Sequence, residues 1–160
     1  MKKMSVIVLI GCILAACGGG NSHNVTTTTE TVNDAKETAE NGNPAYDPKR
    51  GEGKFKEVVV KGALDAAMAA NGNKTYSVKC SSCHKVTEEK LVGPGWKGVT
   101  SRYSAAWVMN FITNPDEMLN KDPKAQAQLE ICLVRMPNQN LTDNDARALY
   151  EFMRKNDGIK

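Results

Sequence analysis

Residues 80–84 read Cys80-Ser81-Ser82-Cys83-His84, and this short stretch contains the strongest chemical signal in the chain. Two thiols stand three positions apart, and an imidazole directly follows the second thiol. This order is typical of covalent haem attachment, in which the two thiols add to the two vinyl groups of one porphyrin edge. The adjacent imidazole then lies under the iron as an axial ligand. The stretch therefore predicts one haem c, attached through Cys80 and Cys83 and ligated by His84.

A redox-active pair, a structural disulfide and a zinc site are the alternatives for these two cysteines. A zinc site would need a fourth strong ligand, and the only other histidine of the chain, His23, lies far from the motif in a polar segment. A thioredoxin-like pair would need a βαβ context, which the pattern of residues does not provide. The remaining cysteine of this region, Cys132, is expected to be a small buried apolar residue, with weak iron ligation or redox sensing as the alternative.

An iron atom with one histidine ligand needs a second protein ligand or keeps an open site, and a thioether ligand raises its reduction potential. Beyond position 16 there are five candidates: Met68, Met109, Met118, Met136 and Met153. Met109 and Met153 lie on predicted helices, where methionine usually fills the core. Met136 precedes Pro137 in a stretch between two predicted helices, and loops commonly position ligands. We favour Met136 as the second ligand, with Met118 next and a core-filling role for Met136 as the alternative.

On both sides of the motif the spacing of apolar residues is helical. Leu64, Ala67 and Met68 predict a first helix, which we expect to break at residues 71–73 (Asn-Gly-Asn) and to resume over residues 74–80. Three further helices are predicted from their start signals: Ser104 as an N-cap, Pro123 as a first residue, and Thr142 as an N-cap with Asp145 at the third helical position. No alternating strand pattern occurs, so the domain is predicted to be all-α.

The segment before this domain has a different composition. Residues 17–56 are rich in Gly, Asn, Thr and Glu and lack apolar periodicity, so we interpret them as a disordered tether before a domain at residues 57–160. Such a tether would have a reach of about 35 Å. The alternative is that its last part, together with the start of the domain (residues 44–60), packs on the domain, with residues 58–60 as an extended segment across the core.

Residues 1–16 have the pattern of an export signal: a positive start at Lys2 and Lys3, an apolar run, and small residues before a cysteine. The apolar run is too short to span a bilayer. Leu14-Ala15-Ala16-Cys17 resembles the bacterial lipobox, which implies cleavage before Cys17 and lipid attachment to its thiol. We therefore expect a periplasm-facing protein anchored to a bacterial membrane through Cys17. An ordinary cleaved secretory peptide is the alternative.

Length and composition exclude several other classes of protein. A chain of 160 residues with 41% hydrophobic and 24% charged residues suits one soluble domain with appendages. The formal net charge is only +3 and no run of five Lys or Arg residues occurs, so nucleic acid is not an expected partner. We expect a monomer.

Several short stretches carry a resemblance to a known family. They are Cys80 to His84, Val92-Gly93-Pro94, Trp96-Lys97-Gly98-Val99, and Met136-Pro137 followed by Leu141-Thr142-Asp143. Over roughly residues 62–157 the chain resembles class I, single-haem bacterial cytochromes c. The resemblance implies a small helical domain wrapped around one covalent haem c, with the carbonyl of Pro94 accepting the second N–H of His84 and with Trp96 and Trp107 as pocket or core aromatics.

The resemblance also implies a function: one-electron transfer between respiratory partner proteins, without enzymatic chemistry. Residues 136–142, together with Asp122-Pro123 and Asn114-Pro115-Asp116, resemble more specifically the cytochromes that accompany nitrous oxide reductase. Lysines flank the motif, and we expect them to steer an acidic partner, with an ordinary solvated charged surface as the alternative: Lys79, Lys85, Lys90 and Lys97.

Two rival interpretations remain at this stage. In one, Met136 is displaced and the protein is a peroxidatic enzyme or a sensor that binds a small ligand. Against it stands the absence of a second histidine in the domain or of an evident acid–base pair, which peroxide cleavage would need. In the other, the protein is a subunit held permanently in a larger oxidase or reductase, and the long tether argues against permanent docking.

Overall fold

The computed structural model describes residues 46–160. The predicted signal segment at residues 1–16, the lipid site at Cys17 and the tether up to residue 45 lie outside the described residues. Six helices follow one another: α1 Ala66–Lys79, α2 Val99–Arg102, α3 Ala105–Thr113, α4 Pro115–Lys121, α5 Pro123–Cys132 and α6 Asp143–Asn156. Within residues 46–160 no strand forms, and His84 and Lys90 make an isolated antiparallel bridge. The all-α fold class is confirmed.

Three of the predicted helix starts are confirmed by side-chain caps. The hydroxyl of Ser104 accepts the N–H of Trp107 at the start of α3. At the start of α5, the carboxylate of Asp122 accepts the N–H of Ala125, and Pro123 is the first helical residue. Thr142 and Asp145 form a reciprocal capping box at the start of α6. These caps satisfy backbone N–H groups that have no partner inside the helix. Helices α2 and α4 are short and were not predicted.

The predicted break in the first helix is wrong, because α1 continues through residues 71–73. Gly72 is buried where α1 crosses α6, and a Cβ atom at this position would lie 2.0 Å from the carbonyl oxygen of Ala148. The glycine therefore permits a close helix crossing. The packing gained at the crossing outweighs the low helix propensity of Asn-Gly-Asn.

The leading segment, residues 46–60, packs on the helices. The side chain of Asn110 in α3 bonds the carbonyls of Arg50 and Phe55, and the hydroxyl of Tyr46 donates to the buried carboxylate of Asp122 at 2.7 Å. Residues 46–56, which composition assigned to the tether, are thus part of the packed chain. In the described region no helix is long and apolar enough to cross a membrane.

Candidate haem site

The motif residues form a tight turn at the end of α1. The helix ends at Lys79, and the N–H groups of Cys83 and His84 then donate to the carbonyl of Cys80 at 3.0 and 2.9 Å. The turn brings Cys80, Cys83 and His84 to the edge of one cavity. Both thiols are free. All three side chains can therefore reach one ligand in that cavity.

The Cys80 thiol does not have the properties of a redox-active cysteine. Burial raises the pKa of the Cys80 thiol to about 11, although the nearby Lys79 acts in the opposite direction. A thiol with so high a pKa is neutral at physiological pH and is a poor redox nucleophile. Among the residues that the structure describes, no group of three or more His, Cys, Asp or Glu side chains could hold a metal ion. This geometry favours neither a redox pair nor a zinc site.

The His84 ring is fixed in orientation by its surroundings. Its Nδ1 lies 2.9 Å from the carbonyl oxygen of Pro94, as the resemblance predicted. Gly93 lies so close that a Cβ atom there would be 2.3 Å from Cε1 of the ring. Burial lowers the pKa of His84, and the bond to Pro94 opposes this effect. The ring is therefore neutral at physiological pH, and its Nε2 lone pair is available for a metal.

Two aromatic residues, Trp96 and Tyr76, lie next to His84. The Trp96 ring lies 5.5 Å from the His84 ring and 5.0 Å from the Tyr76 ring, measured between centroids. The Tyr76 hydroxyl donates to the carbonyl of His84 at 2.8 Å. Tyr76 was missed in the sequence analysis, although its place one turn before Cys80 on the predicted helix could have indicated it. Trp96 is buried as expected.

Met136 lies in the extended segment between α5 and α6, and it is half-buried. Three adjoining cavities, with volumes of about 540, 520 and 740 Å³, have both His84 and Met136 in their linings. The imidazole and the thioether therefore border the same space, where both could act as ligands of one group.

Met118, the second candidate ligand, lies elsewhere. It is fully buried on α4, and its sulfur accepts the N–H of Glu52 at 3.1 Å. A Cβ atom at Gly51 would lie 2.7 Å from the same sulfur. Met118 lines none of the three cavities. Its sulfur anchors the leading segment instead.

The remaining lining of the cavities is mainly apolar. It includes Val92, Val99, Trp107, Phe111, Leu129 and Leu149. The Trp107 indole N–H donates to Asp122 at 3.0 Å, while its ring stacks on Tyr103 at 4.1 Å between centroids. Cys132, expected to be buried, is half-buried and lines the same cavity as Cys83 and Met136.

These features fit a covalently attached haem. Two free thiols stand on one side, a neutral imidazole nitrogen and a thioether are available as iron ligands, and apolar walls suit a flat porphyrin. Imidazole and thioether are ligands that hold haem iron in electron-transfer proteins.

Comparisons with known proteins agree with this interpretation. A family model described as cytochrome c matches residues 69–157. The fold is similar to the solved structure of cytochrome c from Rhodothermus marinus, with a TM-score of 0.64 and 28% sequence identity over 66% of this chain and 90% of that chain. An engineered form of that protein, bound to a carbene intermediate, is similar with a TM-score of 0.60, the same identity and the same coverage. A search among curated proteins found no match.

The matched region makes up more than half of the chain and contains the whole site, from the motif at residues 80–84 to Met136. The family's members bind haem c covalently and carry electrons. We conclude that the chain belongs to the cytochrome c family, as a class I haem c electron carrier with one covalent haem.

Proposed function

We propose that this protein is a membrane-tethered, periplasm-facing one-electron carrier. Its haem is bonded to Cys80 and Cys83, and the iron is ligated by His84 and Met136. The observation that carries the proposal is that His84 and Met136 border all three cavities of the site. When bound, the haem supplies an iron centre that changes its charge by one electron.

The protein's part in this function is to hold both ligands still. The Pro94 carbonyl orients His84 and raises the basicity of its other nitrogen. Pro137 stiffens the backbone after Met136. When haem is bound, His84 and Met136 would hold its iron through the imidazole nitrogen and the thioether sulfur. Among the described residues, no carboxylate and no second histidine line these cavities, which are the groups that peroxide cleavage would most readily use.

A matched pair of variants tests the ligand assignment. Met136→Leu and Met118→Leu both replace a methionine by a residue of similar volume, a change that costs less than about 1.5 kcal/mol. We expect Met136→Leu to abolish the sulfur-to-iron charge-transfer band of the ferric protein and to lower the reduction potential. Met118→Leu should keep both. The reverse result would assign the ligand to Met118, and a band that survives both changes would contradict thioether ligation.

A second candidate function is the binding of a small ligand at an iron from which Met136 is displaced. The engineered relative bound to a carbene intermediate favours this candidate, as does the position of Met136 outside any helix. Rapid binding of carbon monoxide to the untreated ferrous protein would support it. Slow or absent binding would support the electron carrier.

The tether, the anchor and the partners belong to the same proposal. The support is the lipobox-like Leu14-Ala15-Ala16-Cys17 and the likeness of residues 136–142 to cytochromes that accompany nitrous oxide reductase. Cys17→Ser should release the protein from membranes, and a variant that stays membrane-bound would contradict lipid anchoring.

The reduced protein should be oxidised by purified nitrous oxide reductase, with nitrous oxide present. A lack of oxidation would remove that enzyme from the proposal. We expect a monomer.

A further inference from the structure

The segment that carries Met136 has few attachments to the rest of the chain. This Met136 segment, residues 133–142, connects the end of α5 to the start of α6. Within the described residues, the backbone of residues 134–141 makes no hydrogen bond to the backbone of another element. A loop with so few backbone bonds opens more easily than a helix. Side-chain contacts therefore decide how firmly Met136 is held.

Lys79 ties the far end of the Met136 segment to the attachment turn, residues 80–84. It directly precedes Cys80, and its ammonium donates to the carbonyl of Gln139 at 2.8 Å. A lysine in the last turn of a helix commonly interacts with the carbonyls of its own helix. Lys79 lies in the last turn of α1 but bonds a different segment. Lys79 and Gln139 also line the cavity that Cys80 and Met136 share, so this bond lies at the wall of the haem site.

Lys90 makes a similar tie just before the Met136 segment begins. Its backbone forms the bridge with His84, and its ammonium donates to the carbonyl of Ile131 at 2.8 Å. Ile131 lies in the last turn of α5, where backbone carbonyls have no partner inside the helix. Lys90 therefore caps the helix that leads into the Met136 segment, and it does so from the side of the site on which His84 lies.

The other two lysines near the motif do not contact the Met136 segment. Lys85 pairs with Glu89 at 2.7 Å. Lys97 is exposed, and in the described part of the chain its side chain makes no hydrogen bond or ion pair. The bonds of Lys79 and Lys90 are therefore particular to these two residues and are not a general property of the lysines around the motif.

We propose that Lys79 and Lys90 are positioning residues, which hold the Met136 segment against the attachment turn so that the thioether ligand is not readily displaced. The inference rests on the proposed ligation of the iron by Met136. Each lysine belongs by its backbone to the side of Cys80 and His84, and its ammonium bonds the opposite side. Loss of either bond lets the Met136 segment open more often. Two of the four lysines expected to steer a partner thus have a role inside the protein.

Displacement of Met136 by imidazole tests this role in the full-length holoprotein. Imidazole is added to the ferric protein, and the loss of the sulfur-to-iron charge-transfer band gives the concentration that displaces half of the thioether. Lys79→Gln and Lys90→Gln should each lower this concentration about fivefold, the effect of losing one hydrogen bond of ordinary net strength. Lys79→Arg keeps a charged donor and should stay close to the wild type.

Lys97→Gln is the matched control, because it removes the same charge near the motif without removing a bond to the Met136 segment. It should give the wild-type imidazole concentration. The amides of residues 134–141 should also exchange their hydrogens faster in Lys79→Gln and Lys90→Gln than in this control.

The possible failures can be told apart. A wild-type imidazole concentration in Lys79→Gln or Lys90→Gln would overturn the proposal for that lysine, and an equal shift in Lys97→Gln would overturn it for both. Lys79→Arg with the same shift as Lys79→Gln would contradict a role for the bond to Gln139. A ferric wild-type protein without the charge-transfer band would instead contradict the ligation by Met136 on which the inference rests.

Discussion

Gly93→Ala tests how tightly the protein positions the axial histidine. A Cβ atom at this position would lie 2.3 Å from Cε1 of His84, about 1.1 Å short of the 3.4 Å at which ordinary contact begins. The Gly93 backbone cannot easily move away, because its N–H donates to Cys83 at 2.9 Å and its carbonyl accepts from Leu91 at 3.1 Å. The imidazole is therefore expected to shift by about 1 Å.

The shift has two measurable effects. It removes the 2.9 Å bond between His84 Nδ1 and Pro94, and together with overpacking this should lower the free energy of unfolding by about 2–3 kcal/mol. Loss of the bond also makes the imidazole less basic, which stabilises ferric iron less and raises the reduction potential. If the bond to Pro94 stabilises the ferric form alone by about 1 kcal/mol, its loss raises the reduction potential by at most about 40 mV.

Urea unfolding and potentiometric titration of the holoprotein measure these two quantities. Gly62→Ala is the control, because a Cβ atom at Gly62 meets nothing within 4 Å. We expect the control to match the wild type in both measurements. Gly93→Ala with the stability and potential of the control would refute the account of how His84 is held.

Three further changes test the fold around the site. Gly72→Ala places a Cβ atom 2.0 Å from the carbonyl of Ala148, so urea unfolding should show a loss of about 2–3 kcal/mol despite the better helix propensity of alanine; unchanged stability would mean that α1 and α6 can separate freely. Leu133→Gly relieves a left-handed leucine that is 83% exposed, and thermal unfolding should show a gain of about 0.5–1 kcal/mol; a loss would reveal packing that the exposure does not indicate. Thr142→Ala removes the capping box and should cost about 1 kcal/mol at pH 7. Hydrogen bonds from Thr142 hold the pKa of Asp145 below 3.8. The stabilisation by this pair is therefore fully present above pH 3.8 and is lost as the pH falls through the folded pKa of Asp145. The difference in stability between variant and wild type should shrink in acid, and a difference that grows in acid would contradict the pairing.

Local signals in the sequence predicted most of the helices. The N-cap at Ser104 and the capping box at Thr142 act within one turn, so their effect can be read from neighbouring residues. The break at residues 71–73 was predicted wrongly because its outcome depends on a distant residue. Only the approach of Ala148 shows why glycine is needed within α1.

The packing of the leading segment on the helices also could not be predicted, because it leaves no periodic pattern of apolar residues in the sequence. Residues 46–56 are held mainly by polar contacts, in which the segment supplies partners for the buried side chains of Asn110 and Asp122. Such contacts need no regular spacing of apolar residues, so composition alone indicated a tether. The motif at residues 80–84, by contrast, could be recognised because haem attachment dictates its order. The separate environments of Met118 and Met136 became apparent only in the fold.

Mass spectrometry of the intact and the proteolysed protein tests the central claim most directly. The protein should be matured in a host that attaches haem to exported cytochromes. We predict one haem per chain, bonded to the peptide that contains Cys80 and Cys83, with Cys132 unmodified. A colourless protein whose Cys80 and Cys83 carry free thiols would contradict the account.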